Sequence, residues 1–285
     1  MPRPWLVISN CQTVGLANCL TLLCPEVTIE ACHIWRFKAE QEAWIRRLPE
    51  FDELIVTPEF ESVGSLDFSA RSNVTYVPTF FFRAFHPDIT TLFCGGKAIQ
   101  TPMHDYHSVI VFAAYKHGLS ESRAAQLFSA EFLRMIDFGS IWAVEKQALL
   151  ANFRASGFEL KNDFVRWMRA GPFMHTINHP KIGALYDIAR QIVAKIGVKT
   201  VTESALRPHD NLLAGPIWPI YPEIADELGL PGGSYLFKGL GSYRQFTLNE
   251  FIAGSYNAYR AYDANDLNSN DPHYHFVAKL IEEQR

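Results

Sequence analysis

The segment that most constrains the fold runs from Trp5 to Cys24, WLVISNCQTVGLANCLTLLC. Trp5-Leu6-Val7-Ile8 is a short apolar run of the kind that forms a buried strand. Ser9-Asn10-Cys11-Gln12 is a polar turn, after which Val14, Leu16, Ala17, Leu20 and Leu23 recur at helical spacing. A strand therefore enters a tight turn and leaves as a helix. This puts Cys11 at or just before the first helical turn, where unbonded N–H groups and the positive end of the helix dipole favour an anion. A cysteine so placed is expected to have a lowered pKa and a larger thiolate fraction, and the same geometry displays nucleophiles on many α/β enzymes. The competing reading is a small buried cysteine that only packs. The flanking amides of Asn10 and Gln12 shift the balance toward chemistry.

The chain repeats this alternation. Val27 to Phe37, Phe51 to Thr57 and Asn73 to Phe82 read as further strands, and Ala39 to Leu48 as a short amphipathic helix. Strands alternating with helices imply βαβ units and a parallel sheet, with ligands bound beyond the carboxyl ends of the strands. Cys94 to Thr101, with Gly95-Gly96, reads as a hairpin or loop and not as a phosphate loop. From Tyr106 the period becomes helical: His107 to His117, Ser120 to Met135 with Ser120 as N-cap, Ile141 to Phe153, Glu159 to Arg169, Lys181 to Ile196, Leu248 to Tyr262 and His275 to Gln284. The expected fold is α/β, an N-terminal parallel sheet unit (Rossmann-like or SGNH-like) followed by a predominantly α-helical remainder. The expected organisation is one domain over 1–285: an α/β, nucleophile-bearing part over 1–100, and a mainly helical part over 101–285 whose final third is rich in Pro and Gly.

Composition narrows the function. The 285 residues carry a net charge of −4, so no basic excess favours nucleic acid. No run approaches the ~18 apolar residues of a membrane helix, and Met1-Pro2-Arg3-Pro4 leads into an apolar run too short for a signal peptide. Five cysteines, with no CxxC pair and no disulfide-type spacing, imply a reducing, cytoplasmic setting and no structural zinc.

Ten histidines are available to partner a thiol. His175 and His179 flank Thr176-Ile177-Asn178, and Pro180 argues for a loop that feeds the next helix with Pro180 at its first position. A histidine on such a loop can take a proton from a hydroxyl or a thiol; otherwise the loop caps and packs. His104, Asp105 and His107 form a second cluster. Asp271, His273 and His275 form a third, in which an Asp two residues before a His is similar to the acid and base of esterase-type triads. Neither cluster has zinc-hydrolase spacing, and no metal is expected. Arg83, directly after an apolar strand, calls for an anion: a ligand phosphate or carboxylate, or one of the protein's own acids.

Four stretches together resemble the WcbI-like polysaccharide-biosynthesis acetyltransferases: Ser9-Asn10-Cys11-Gln12, Phe85-His86-Pro87-Asp88-Ile89, Tyr106-His107-Ser108, and Phe173-Met174-His175-Thr176-Ile177-Asn178-His179-Pro180. The resemblance spans about the first 200 residues. It implies binding of coenzyme A and acetyl-CoA, O-acetylation of a sugar in capsule or surface-glycan synthesis, and an active crevice that includes Cys11 with His175 or His179. Asn10 and Gln12 are then expected to hold the oxyanion, and Arg83, His107 and Ser108 to contact coenzyme A. The acceptor is a small-molecule or glycan substrate. Two mechanisms fit: an acetyl thioester on Cys11, or direct attack on acetyl-CoA by a sugar hydroxyl that a histidine deprotonates. The alternatives are a Cys-dependent esterase or deacetylase and a non-catalytic protein of a glycan-assembly complex.

Overall fold

Strand β1 (Trp5–Ser9) is buried along its whole length because it lies inside a sheet. In the computed structural model, which describes residues 4–64, 66–68, 71–201 and 206–284 (without the side chains of 62–64), β1 pairs in parallel on both sides. Its partners are β2 (Ile29–His33) and β3 (Glu53–Val56), and β4 (Val74–Tyr76) adds in parallel to β3. Residues 1–3, on which the expectation about a leader rests, lie outside the described residues. Parallel neighbours need crossovers. Helix α1 (Thr13–Leu23) links β1 to β2, and α2 (Ile34–Ala39) with α3 (Gln41–Arg47) links β2 to β3. Helix α4 (Glu59–Gly64) precedes β4. The spatial order is β2-β1-β3-β4, so the winding reverses between β1 and β3. Open α/β sheets bind ligands at such a reversal.

The chain divides into two compact units: Met1–Phe81, Gln147–Met174 and Asn178–Leu212 in the first, and Phe82–Lys146, His175–Ile177 and Leu213–Arg285 in the second. In the first, Leu6, Ile8, Leu54 and Val56 pack with Phe37, Trp44, Phe51 and Phe60. The Phe37 and Phe60 rings meet edge-on at 4.6 Å. The strand expected over 27–37 ends at His33, whose ring accepts the Trp35 N–H (3.2 Å) and starts α2. Ile34 and Phe37 are buried while Trp35 and Arg36 are exposed, a helical period in β-branched and aromatic letters. The strand expected over 73–82 is laddered only over Val74–Tyr76. Pro78 has no N–H, and the Phe80 N–H goes to a side chain. Helix Ile182–Ile196 forms as expected, burying Leu185, Ile188, Ala189 and Ile192 and ending at Gly197 with φ +80°.

The second unit is mainly helical, with short antiparallel pairings. Leu92–Cys94 and Lys97–Ala98 make the expected hairpin, and the positive φ of Gly95 and Gly96 supplies its turn. The helix expected over 120–135 is two, Glu121–Gln126 and Ala130–Ile136, because both Ser120 and Ser129 act as N-caps. Helix Val109–Lys116 is buried from Val109 to Ala114. Its start is held by fully buried Asp88, whose carboxylate accepts the Ile110 N–H (3.1 Å) and the Tyr221 hydroxyl (2.7 Å). The Tyr221 oxygen in turn accepts the Trp218 indole N–H (3.1 Å). Among the described residues no helix is long and apolar enough to cross a membrane.

Burial pushes the Asp88 carboxyl up to about 6 against three hydrogen bonds that lower it. Between the ordinary carboxylate pKa near 4 and about 6, the folded chain binds the proton that the unfolded chain has lost. The contribution of Asp88 to stability is thus fully present below about pH 4 and falls as pH rises to about 6. Urea unfolding at about pH 4.5 and about pH 6.5 should show the wild type losing on the order of 2 kcal/mol more than Asp88→Asn between the two conditions. Equal losses would show that Asp88 does not titrate there.

Candidate active site

The turn between β1 and α1 is closed by its own polar groups. The Asn10 carbonyl accepts the Thr13 N–H (3.0 Å) and hydroxyl (2.6 Å), and Asn10 Oδ1 accepts the Gln12 N–H (3.1 Å). Gln12 occupies the N-cap position without capping. Its buried amide instead donates to the carbonyls of Phe80 (2.8 Å) and Asn178 (2.9 Å) and accepts the Phe80 N–H (3.1 Å). The sequence reading set Gln12 against an oxyanion. The structure employs its amide in three main-chain bonds that hold two other segments beside the turn.

Cys11 is half-buried, with Sγ 3.7 Å from Asn10 Oδ1 and 3.8 Å from the Asn178 carbonyl. Burial pushes the thiol up to about 11, outweighing the N–H groups of Cys11 and Gln12 that lower it. This corrects the expected lowering. The helix starts at Thr13, two residues beyond Cys11, and both nearby polar atoms are acceptors, which favour S–H over thiolate.

At the carboxyl ends of the neighbouring strands a row of side chains continues from the turn. Asn10 Nδ2 donates to Thr79 Oγ1 (3.3 Å), and the Thr57 and Thr79 hydroxyls are 3.0 Å apart. Both also donate to Glu59 Oε2, Thr79 at 3.3 Å. Sequence reasoning passed over Thr57, Glu59 and Thr79. The available signal was a polar residue directly beyond an apolar strand.

Residues 173–180 form two short strands, Met174–Thr176 and His179–Pro180, about the turn Ile177-Asn178. The Phe173 carbonyl accepts the Lys181 N–H (2.8 Å). Pro180 thus lies in a strand and not at the first helical position, and Asp210 accepts the first helical N–H, that of Ile182 (3.0 Å). In the first unit the Asn178 carbonyl meets Cys11 and Gln12, and half-buried His179 is the next residue. His175 belongs to the second unit and is buried, with its carbonyl bonded to the Trp218 N–H (2.9 Å).

The other expected ligand contacts serve the interior of the second unit. Arg83 Nη2 donates to Asp271 (2.8 Å) and to the Pro87 carbonyl (2.7 Å), the protein's own acid that was the competing reading. Asp271 also accepts the His273 N–H (2.8 Å) and lies 3.2 Å from its ring, a turn that leads into helix Tyr274–Glu283, on which His275 is exposed. His107 has Nδ1 3.1 Å from the Tyr259 hydroxyl and Nε2 3.0 Å from the Ile99 carbonyl. Burial lowers its pKa to about 4, so near pH 7 it carries no charge for a phosphate. Ser108 is fully buried and caps helix Val109–Lys116. Among the described residues no group of three or more His, Cys, Asp or Glu is placed to hold a metal.

Two measurements check these assignments. Alkylation by iodoacetamide, followed by peptide mapping, should label Cys11 at neutral pH about a hundredfold more slowly than an ordinary thiol of pKa ~8.5, with acceleration only toward pH 11. Fast labelling at pH 7 would contradict the buried neutral thiol. Arg83→Met should cost about 3–5 kcal/mol in chemical denaturation, because it strands buried Asp271. An arginine serving only a ligand would leave stability unchanged.

The model of the family described as polysaccharide biosynthesis enzyme WcbI matches residues 4–201. Curated protein sequences give no match. A solved structure of WcbI, described as a novel polysaccharide biosynthesis enzyme in its native form without a disulfide bond between coenzyme A and a cysteine, has a similar fold. The TM-score is 0.68 at 15% sequence identity, over 100% of this chain and 96% of that one. With more than half of its length matched, the chain belongs to the WcbI family of polysaccharide biosynthesis enzymes.

Proposed function

We propose that the protein is an acetyl-CoA-dependent O-acetyltransferase acting on a sugar hydroxyl, with Cys11 in the thioester-binding site. The observation that carries this reading is the position of Cys11: it follows the strand at which the winding reverses, in contact with the main chain of the 173–180 hairpin. The similar WcbI structure, described in terms of a cysteine and coenzyme A, adds support. A cytoplasmic location, where acetyl-CoA is available, belongs to the same proposal.

The raised thiol pKa favours direct transfer over an acetyl-Cys11 intermediate. A histidine takes the proton of the acceptor hydroxyl, and its oxygen attacks the acetyl carbonyl carbon. The bond from that carbon to the coenzyme A sulfur breaks, and the imidazolium returns the proton to the departing thiolate. His179, next to Asn178, is the first candidate for this base and His175 the second. The neutral Cys11 thiol lines the sulfur site.

Thermal unfolding with and without ligand tests the coenzyme site. Coenzyme A or acetyl-CoA at about 100 times its Kd adds ~2.7 kcal/mol, a rise of several degrees. No shift at saturating ligand, together with coenzyme-independent hydrolysis of p-nitrophenyl acetate, would replace the transferase by an esterase. Replacing the base, by His179→Asn or His175→Asn, should lower turnover by about 10²–10⁴. Cys11→Ala should retain turnover to within about tenfold; complete loss, with loss of a trappable acetyl-enzyme, would establish the covalent route instead.

A further inference from the structure

We propose that the groove between helices Lys161–Ala170 and Ile182–Ile196 binds an acidic saccharide, a polyhydroxylated ligand carrying a carboxylate or a phosphate, at a site separate from the Cys11 turn. The groove belongs wholly to the first unit and has a volume of about 720 Å³, which is the size of a small-ligand site. It follows the second half of helix Ile182–Ile196 and continues past Gly197 to Thr200. There the Val201 N–H bonds to the carbonyl of Leu23, the last residue of α1 (3.1 Å). Helix α1 starts two residues beyond Cys11, and its 11 residues at ~1.5 Å each put about 16 Å between its ends. This end of the groove therefore lies away from the thiol, and the proposal does not depend on the transfer chemistry there.

Charge decides what the groove can receive. Residues 154–169 and 187–199, which wall it, hold seven Lys and Arg against three acids. That is a net +4 in a chain of net −4, so the rest of the molecule carries −8. An acidic protein with its cations gathered around one cavity draws anions to that cavity. The three acids are already engaged by the protein itself. Glu159 accepts from Arg154 Nε (3.1 Å) and Nη2 (3.2 Å). Asp163 accepts from Arg166 (2.5 Å) and the Gln191 amide (2.5 Å), and Asp187 from Arg166 (2.7 Å) and the Trp167 indole (2.8 Å). Both aspartate side chains are only 14% exposed, so this network is the floor of the groove. Gln191 also exchanges two bonds with the main chain of Glu159, which fixes one helix against the other (2.9 and 3.0 Å).

Two cations remain above that floor. Neutral donors, Gln191 and Trp167, occupy aspartate lone pairs while Arg190 comes no nearer to Asp187 than 3.9 Å and is 60% exposed. Exposed Lys199 has no ion pair or hydrogen bond among the described residues. The Arg190 fork matches a carboxylate or a phosphate with two parallel hydrogen bonds, and Lys199 adds a point charge. Asn162, exposed in the same wall, offers an amide that both donates and accepts and so suits hydroxyls. An acid group on a sugar frame meets all three.

The test is saturation-transfer NMR titration of the full chain at low salt with methyl glucuronide, glucose 1-phosphate and the neutral methyl glucoside. At least one acid should bind, the glucoside should not, and NaCl at about 0.5 M should weaken the binding. Tighter binding of the glucuronide identifies the ligand as a uronic-acid unit of a glycan, and tighter binding of glucose 1-phosphate as a free sugar phosphate. Arg190→Gln and Lys199→Gln should each weaken the acid about tenfold or more, and the double variant should abolish binding. Neither should lower the melting temperature of the ligand-free protein. Arg46→Gln, the same charge change on the exposed side of α3, should leave binding unaltered. Unchanged affinity in the double variant overturns the proposal, as does a wild type that binds neither acid or binds the glucoside equally well. Coenzyme A is read separately by thermal unfolding: its shift should persist in the double variant, and loss of that shift would assign the groove to the coenzyme phosphates and overturn the saccharide.

Discussion

The amide of Gln12 is the interaction on which the candidate site depends. Its donors satisfy the carbonyls of Phe80 and Asn178, and its acceptor satisfies the Phe80 N–H. These main-chain groups belong to segments that have left their ladders, the run beyond β4 and the turn of the 173–180 hairpin, and buried main-chain groups must be paired somewhere. One side chain at the start of α1 therefore does for two loops what a further strand would do. It also fixes where the Asn178 carbonyl lies, and that carbonyl is one of the two acceptors that face the Cys11 thiol. The clamp thus sets what surrounds Cys11, and burial there pushes the thiol up to about 11.

A second constraint runs through the buried titratable groups. Cys11, His107 and Asp88 are all shifted toward their neutral forms, and burial is the largest cause in each case. The polar atoms nearest the Cys11 thiol are neutral, the Asn10 side-chain amide and the Asn178 carbonyl. A neutral thiol beside neutral dipoles means that no anion is stored at Cys11 in the resting protein.

The parts of the fold legible in the sequence are those that periodicity or a local signal decides. The run from Trp5 to Ile8 is apolar at every position because β1 has neighbours on both sides, Ile182–Ile196 carries an amphipathic stripe, and α1 buries Leu16, Ala17, Leu20 and Leu23 of its expected stripe while Val14 is exposed. Gly95-Gly96 announced its hairpin. Two tertiary effects were not legible. His33 ends β2 with a side-chain bond to the Trp35 N–H, so the aromatic letters from Ile34 to Phe37 are spent in a helix. The Phe80 N–H is satisfied by Gln12, so the apolar stretch after Val77 needs no strand partner. Cys11 lay where the strand–turn–helix pattern put it, but its protonation is set by burial, to which a segment 167 residues along the chain contributes.

Three polar residues of the second unit, Arg83 and His107 among the expected coenzyme ligands and Asp88 beside them, have a common explanation. Arg83 is bound to Asp271, Asp88 to Tyr221 and His107 to Tyr259, so in each case the partner comes from the part of the chain beyond residue 201, where the family match ends. A polar residue inside an apolar stretch announces that it needs a partner, and the sequence does not say whether that partner is a ligand or a distant residue of the same chain. The C-terminal third, lacking any motif of its own, contains these partners and so accounts for polar residues that would otherwise be orphaned in the interior. By contrast, Asn10, Thr57, Thr79 and Glu59 bond to one another at the strand ends of the first unit. Residue type therefore does not separate the two sets, since both contain acids and amides or hydroxyls; what separates them is whether the partners come from the strand ends of the first unit or from the final third of the chain.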